Sequence, residues 1–195
     1  MESCPALIGI DDGYFPHPKS GGSTVLAGVL WSGWAPRDCS LELIEVDGLD
    51  GTEKALRLYE RLLPSGARDV VILLDGISVA GFNFVDPVAL EDETGSRVLV
   101  IFKKPLDLGK IEAALRGNFR DWELRLEVYA EVVPKTNRLV TKRGVVHYYS
   151  SSMGRREALR AVECGQVFSP TPEPLRLSHM LATEVSLLLR RLKLL

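Results

Sequence analysis

Two short apolar runs in this chain stop on acid and glycine. PALIGI (5–10) runs into Asp11-Asp12-Gly13, and DVVILLDG (69–76) closes on Asp75-Gly76. An apolar run of this length that hardly alternates reads as a strand buried on both faces. Between these runs, STVLAGVLWSGW (23–34) and CSLELIEVD (39–47) read as two further strands. Short, turn-rich connections predict that the first three strands pair antiparallel, while the 11–22 connection is long enough to carry a site.

The hydrophobic period then changes. GTEKALRLYERLL (51–63) sets Ala55, Leu58, Tyr59 and Leu62 on one helical face, with Thr52 as N-cap. A short helix is predicted over 86–95, with Asp86 as N-cap, Pro87 at its first position and Gly95 at its end. RVLVIFKKP (97–105) is another buried strand, and DLGKIEAALRG (107–117) a helix closed by Gly117. Further on come a helix around 121–130, a basic stretch KTNRLVTKRG (135–144), a strand VVHYY (145–149) and a helix around 154–163. Three prolines in SPTPEPLR (169–176) predict a loop, and the last helix shows a stripe of Leu177, Leu181, Val185, Leu188 and Leu192.

The order β-β-β-α-β-α-β-α predicts an α/β fold of ribonuclease H-like type over 1–195 as one domain. Its mixed sheet would hold three antiparallel strands followed by parallel βαβ units, with helices on both faces. In that topology the first strand and the strand after the first helix lie side by side and parallel. Asp11 or Asp12 would then face Asp75 at the carboxyl ends of strands, where such sheets bind ligands and metals. Two carboxylates meeting there repel unless one is protonated or a cation lies between them. Oxygen donors suit Mg2+ or Mn2+.

Composition narrows the partners. With 24 Lys and Arg against 26 Asp and Glu, the net charge of −2 disfavours a purely electrostatic nucleic-acid binder. It leaves room for an acidic metal site with a local basic rim acting on DNA or RNA. No signal peptide or membrane span is read, which predicts a cytoplasmic protein. Cys4, Cys39 and Cys164 are odd in number and lack CxxC spacing, so neither a disulfide framework nor a structural zinc site is expected. Asn occurs only at 83, 118 and 137 and Gln only at 166, a scarcity that points toward a thermophile. The sequence sets no oligomeric state.

GIDDGYF (9–15), VDGLDGTEK (46–54), LLDGISVAGFNFVD (73–86), IFKKP (101–105) and PEPLRLSHMLA (172–182) resemble the archaeal family called domain of unknown function 99 (UPF0215). That family is similar to endonuclease V, a metal-dependent nuclease of the ribonuclease H-like superfamily that cuts near deaminated bases. The resemblance implies Mg2+ or Mn2+ ligands at Asp11, Glu53, Asp75 and His179, with Asp47 and Asp50 competing for the place of Glu53. It implies catalytic duty for Lys103 or its neighbour Lys104, and for His179, with Asn83, Lys104 and Arg176 toward nucleic acid.

Two stretches depart from endonuclease V. Its proline-tyrosine-isoleucine-proline-glycine wedge is Val46-Asp47-Gly48-Leu49-Asp50 here, and its histidine-proline pair is replaced within Ala80-Gly81-Phe82-Asn83. The expected function is a divalent-metal-dependent nuclease or phosphodiesterase. The alternatives are a non-catalytic nucleic-acid-binding module on the same fold, or a scaffold that uses the last helix.

Overall fold

A computed structural model describes residues 4–16, 21–63 and 69–195. The three opening strands are β1 (Ala6–Asp12), β2 (Ser23–Ser32) and β3 (Ala35–Glu45), paired antiparallel in turn. The β2–β3 turn carries positive φ at both Gly33 and Trp34, the conformation that suits a right-twisted hairpin. Of the 11–22 connection, 17–20 fall outside the described residues. Helix α1 (Gly51–Leu62) buries Ala55, Leu58, Tyr59 and Leu62 and leads into β4 (Val70–Asp75). A two-residue hairpin follows, β5 (Ser78–Val79) with β6 (Asn83–Phe84), then α2 (Pro87–Thr94) and β7 (Arg97–Phe102). Asp86 caps α2 through the amides of Val88 and Ala89, and Gly95 ends it in the left-handed conformation. Helices α3 (Leu108–Asn118) and α4 (Trp122–Val132), a 3-10 turn, β8 (Asn137–Thr141), β9 (Gly144–Tyr149), α5 (Arg155–Gly165) and α6 (Glu173–Arg191) complete the chain.

The main sheet runs β3-β2-β1-β4-β7-β9-β8. β1, β4 and β7 are parallel neighbours, as the alternation of strand and helix predicts. The basic stretch holds β8 and the turn into β9: the two form a hairpin whose β9 pairs antiparallel with β7. α1 to α4 cover one face, around Ile8, Ile10, Ile72, Leu74, Val98 and Val100. α5 and the start of α6 cover the other, around Leu7, Val71, Leu73, Leu99 and Ile101. The split follows the two-residue period of the strands, odd positions of β1 and β4 facing α5 and α6.

Three expectations change. Cys4 and Cys164 form a disulfide with Cα atoms 5.8 Å apart, tying the entry of β1 to the end of α5. Helix α6 begins inside the proline segment, at Glu173, because Pro172 is its N-cap and Pro174 falls in the first turn, where no amide donor is needed. The face α6 buries is also only partly the leucine stripe: Leu177, Leu181 and Val185 are half-buried against the core. Leu188 and Leu192 are exposed, whereas Ser178, Ala182 and Ser186 are fully buried.

That small-residue face lets α6 lie directly on β1 and β2. A Cβ at Gly9 would come within 2.4 Å of the Pro174 carbonyl carbon, and one at Gly13 within 2.2 Å of the Ala182 oxygen. Ser178 Oγ donates to Gly9 O at 2.6 Å, and the Ser186 hydroxyl accepts from Val25 N at 3.2 Å. Larger residues on either side would lift the helix off the strand.

Candidate active site

Parity along the strands assembles the site. Gly9 is paired with Leu73, and Ile10 with Leu74, so Asp11 and Asp75 come next on adjacent strands, on the α6 side. Asp75 is paired with Ile101, and Lys103 continues that side just past β7. His179 follows the buried Ser178 on α6, and its Nδ1 lies 3.1 Å from Asp11 Oδ2. Lys103 Nζ donates to Asp75 Oδ2 at 2.9 Å. Asp11, Asp75, Lys103 and His179 are thus brought together at the carboxyl ends of parallel strands, two acids against two cationic side chains.

Burial sets the electrostatics. Asp11 is 5% exposed. Burial, and then repulsion from Asp11, raises the Asp75 carboxyl above the usual range, against the pull of Lys103. Lys103 is raised in turn by its hydrogen bond to Asp75, and His179 by its hydrogen bond to Asp11. In this cluster Asp75 resists ionising, while Lys103 and His179 hold their protons more tightly.

Asp12 faces the other way. It points to the α1–α4 side, where its Oδ2 accepts from Ala80 N at 2.7 Å. Burial and the neighbouring Asp11 push its carboxyl up to about 7. Ala80 O in turn accepts from Asp47 N at 2.8 Å, which joins the β5–β6 hairpin to the β3–α1 loop.

The remaining expected residues are placed elsewhere. Glu53 is an exposed first-turn residue of α1, paired with Arg57 at 2.5 Å. Its competitors are also engaged: Asp47 Oδ1 accepts from Phe82 N at 2.8 Å, and Asp50 Oδ1 accepts from Asn83 Nδ2 at 2.6 Å. Asn83, expected toward nucleic acid, is instead fully buried, its amide donating to Glu45 O and Asp50 while its oxygen accepts from Gly51 N and Phe84 N. Four hydrogen bonds use all that an amide side chain offers. Arg176 binds the buried Glu173 through Nε at 2.8 Å and Nη2 at 2.6 Å, anchoring the first turn of α6. Lys104 is exposed beside Lys103.

A residue that sequence reasoning passed over is Arg125. It is buried on α4, donates to Asp47 O, Gly48 O and Phe82 O within 2.8–3.0 Å, pairs with Asp121 and stacks on Phe119. Its signal was available: Arg125 shares one helical face with Val128, Tyr129 and Val132, and a cation on an apolar stripe needs buried acceptors.

Among the described residues, no three carboxylate, imidazole or thiol side chains gather into a ready-made metal cage. The hard oxygen donors at the cluster are Asp11 and Asp75, and these are the residues that could take a divalent cation.

Comparison with known proteins agrees with this architecture. A protein of unknown function from Archaeoglobus fulgidus superposes with a TM-score of 0.77 at 26% identity, covering 92% of this chain and 97% of that one. Human endonuclease V shares the fold at a TM-score of 0.60 and 16% identity, over 93% and 84% of the two chains. So does Ciona intestinalis endonuclease V bound to inosine-containing DNA, at 0.57 and 11%, over 91% and 83%. The ribonuclease H-like, endonuclease V-like fold is therefore the fold of this chain. UPF0215 proteins of Pyrococcus furiosus and Methanothermobacter thermautotrophicus are 37% and 32% identical to it, over 92% and 93% of the chain and 91% and 87% of theirs. The family model described as endonuclease dU matches residues 6–186, and the chain belongs to that family.

Proposed function

We propose that this protein is a divalent-metal-dependent nuclease that cuts DNA or RNA at or near a deaminated base. The observation that carries the reading is the meeting of Asp11, buried, and Asp75, half-buried, on adjacent parallel strands, with Lys103 and His179 against them. The family description, endonuclease dU, and the inosine-containing DNA in the Ciona neighbour support deoxyuridine and inosine as lesions to test.

A divalent cation fits these residues. Two crowded carboxylates whose repulsion is offset only by side-chain cations are a hard-oxygen donor pair. Mg2+ commonly uses one or two carboxylates and takes its other oxygens from water and substrate phosphate. Asp11 and Asp75 would hold it. When bound, it supplies charge stabilisation to the phosphate and an acidified water. Lys103, displaced from Asp75, turns its ammonium toward the phosphate and offsets charge developing on its oxygens. His179, 63% exposed and hydrogen-bonded to Asp11, stands at the mouth of the site to give or take a proton. Arg125 and Asp12 fix the β3–α1 loop and the β5–β6 hairpin beside these acids.

The test is incubation of deoxyuridine-, inosine- and unmodified DNA and RNA, single- and double-stranded, with Mg2+ or Mn2+. Cleavage that requires metal and falls at least about a hundredfold in Asp75→Ala supports the reading. Cleavage surviving in that variant overturns it. Absence of cleavage, with strand binding retained, assigns the chain to a non-catalytic binding module.

A further inference from the structure

A second charged feature lies apart from the carboxylate cluster. A cleft of about 500 Å³ is lined by Trp34 from the β2–β3 turn, Lys142 and Arg143 from the β8–β9 turn, and Arg156, Glu163 and Gln166 from α5 and its end. The Cys4–Cys164 disulfide forms part of its wall. No lining residue belongs to the Asp11 cluster. Cys4 lies seven residues before Asp11 at the other end of β1, roughly 20 Å away at a strand's rise per residue.

The cleft has an unbalanced chemistry. Its cations face one carboxylate among the described residues, Glu163, which is engaged by Lys142 through Nζ at 3.7 Å and the backbone amide at 3.2 Å. Among the described residues, the exposed guanidinium groups of Arg143 and Arg156 have no acceptor. In a chain of net charge −2, cations left facing one another around a concave surface call for an anion from outside. Gln166 is 5% exposed and donates to Pro170 O, yet its buried Oε1 has no donor among the described residues. Such an orphan acceptor costs free energy unless a partner completes it. Trp34 is 61% exposed, the largest aromatic surface on the rim.

We propose that this cleft binds a single nucleic-acid strand, with phosphates on Lys142, Arg143 and Arg156 and a base stacked on Trp34. Guanidinium forks match phosphate oxygens, and an open indole face stacks on any base regardless of sequence. The volume admits a nucleotide unit. An acidic peptide would satisfy the arginines but leave the indole unused, so the strand is the better occupant. The inference does not rest on the metal-site reading, since a strand can dock here whether or not the carboxylates cut it.

The test is fluorescence anisotropy of a labelled twelve-residue oligothymidylate in chelator, across a salt series, with thymidine monophosphate as competitor. The expected result is that the double variant Arg143→Glu/Arg156→Glu weakens binding at least about tenfold. It should also flatten the log K against log salt slope by about 1.4, the share of two cations on a single strand. Trp34→Ala costs about tenfold and Trp34→Phe restores most of it, as stacking requires. Asp75→Asn binds at least as tightly as the parent protein. An unchanged affinity and slope after charge reversal overturns the proposal. So does a loss in Asp75→Asn equal to that of the double variant, which would seat the strand at the carboxylates. Competition by the mononucleotide as effective as by the oligonucleotide also overturns it, in favour of a free-nucleotide site. Far-ultraviolet circular dichroism of each variant confirms that these exposed changes leave the fold intact.

Discussion

His179 Nδ1 on the last helix lies 3.1 Å from Asp11 Oδ2 on the first strand, so the two ends of the fold meet in one hydrogen-bonded pair. The bond to Asp11 raises the histidine's proton affinity. A group whose folded-state pKa is raised contributes stability below its unfolded value, near 6.5, and loses it as pH climbs through the raised value. In chelator, His179→Ala should therefore be less stable than the parent near pH 6 and equal to it near pH 9. With the imidazole 63% exposed, the gap is at most about 1 kcal/mol. Urea melts at the two pH values measure it.

Asp12 should behave in the opposite sense. Its carboxyl is pushed up to about 7 by burial and by Asp11, so ionising it costs the folded state. That cost is absent below the unfolded value near 3.9, grows between there and about 7, and then levels off. Asp12→Asn keeps an acceptor for the Ala80 amide and removes the charge. Its stability advantage should widen from pH 4 to pH 7 by a few kcal/mol and stay constant above, in chelator.

Asp75→Asn separates repulsion from metal binding. Without metal, removing a half-buried acid beside Asp11 should leave the melting temperature unchanged or raised, despite the lost partner of Lys103. With Mg2+ at a hundred times its dissociation constant, only the parent should gain about 2.7 kcal/mol. Equal Mg2+ shifts in the two proteins would assign the cation to other residues.

Gly9→Ala should act at a distance. The new Cβ would meet the Pro174 carbonyl carbon at 2.4 Å, and backbone cannot move aside as a side-chain tip can. A loss of about 2–3 kcal/mol is expected, in the range of overpacked cores. If α6 is displaced, the pH-dependent gap produced by His179→Ala should vanish in this background.

The Cys4–Cys164 bond closes a span of 160 residues. Constraining so long a loop in the unfolded chain contributes about 3–5 kcal/mol in the chain-entropy account. Cys4→Ser should melt at a correspondingly lower temperature, and reductant should lower the parent to the same point while leaving the variant alone.

The parts legible in the sequence are those governed by local period. Unalternating apolar runs disclosed β1, β4 and β7, the acids ending them disclosed Asp11 and Asp75, and Asp86 with Pro87 and Gly95 disclosed both ends of α2. What stayed hidden depends on meetings between distant segments. The cysteine pair joins residues with no shared spacing. The buried face of α6 is Ser178, Ala182 and Ser186, because close approach to Gly9 and Gly13 favours small side chains over the more conspicuous leucines. The family resemblance points Asn83 toward nucleic acid, yet its neighbours across the β3–α1 loop consume it.

Arg125 spends its donors on the carbonyls of Asp47, Gly48 and Phe82, groups that every amino acid carries. The path of the β3–α1 loop is thus held from α4 as well as by the loop's own Asp47 and Asp50, which bind Phe82 N and Asn83. Leu49, half exposed at its tip, can be exchanged without rerouting the backbone. Such a loop works like a fixed mount with a replaceable tool, where drift at one codon alters what is offered to a ligand while its position is inherited unchanged.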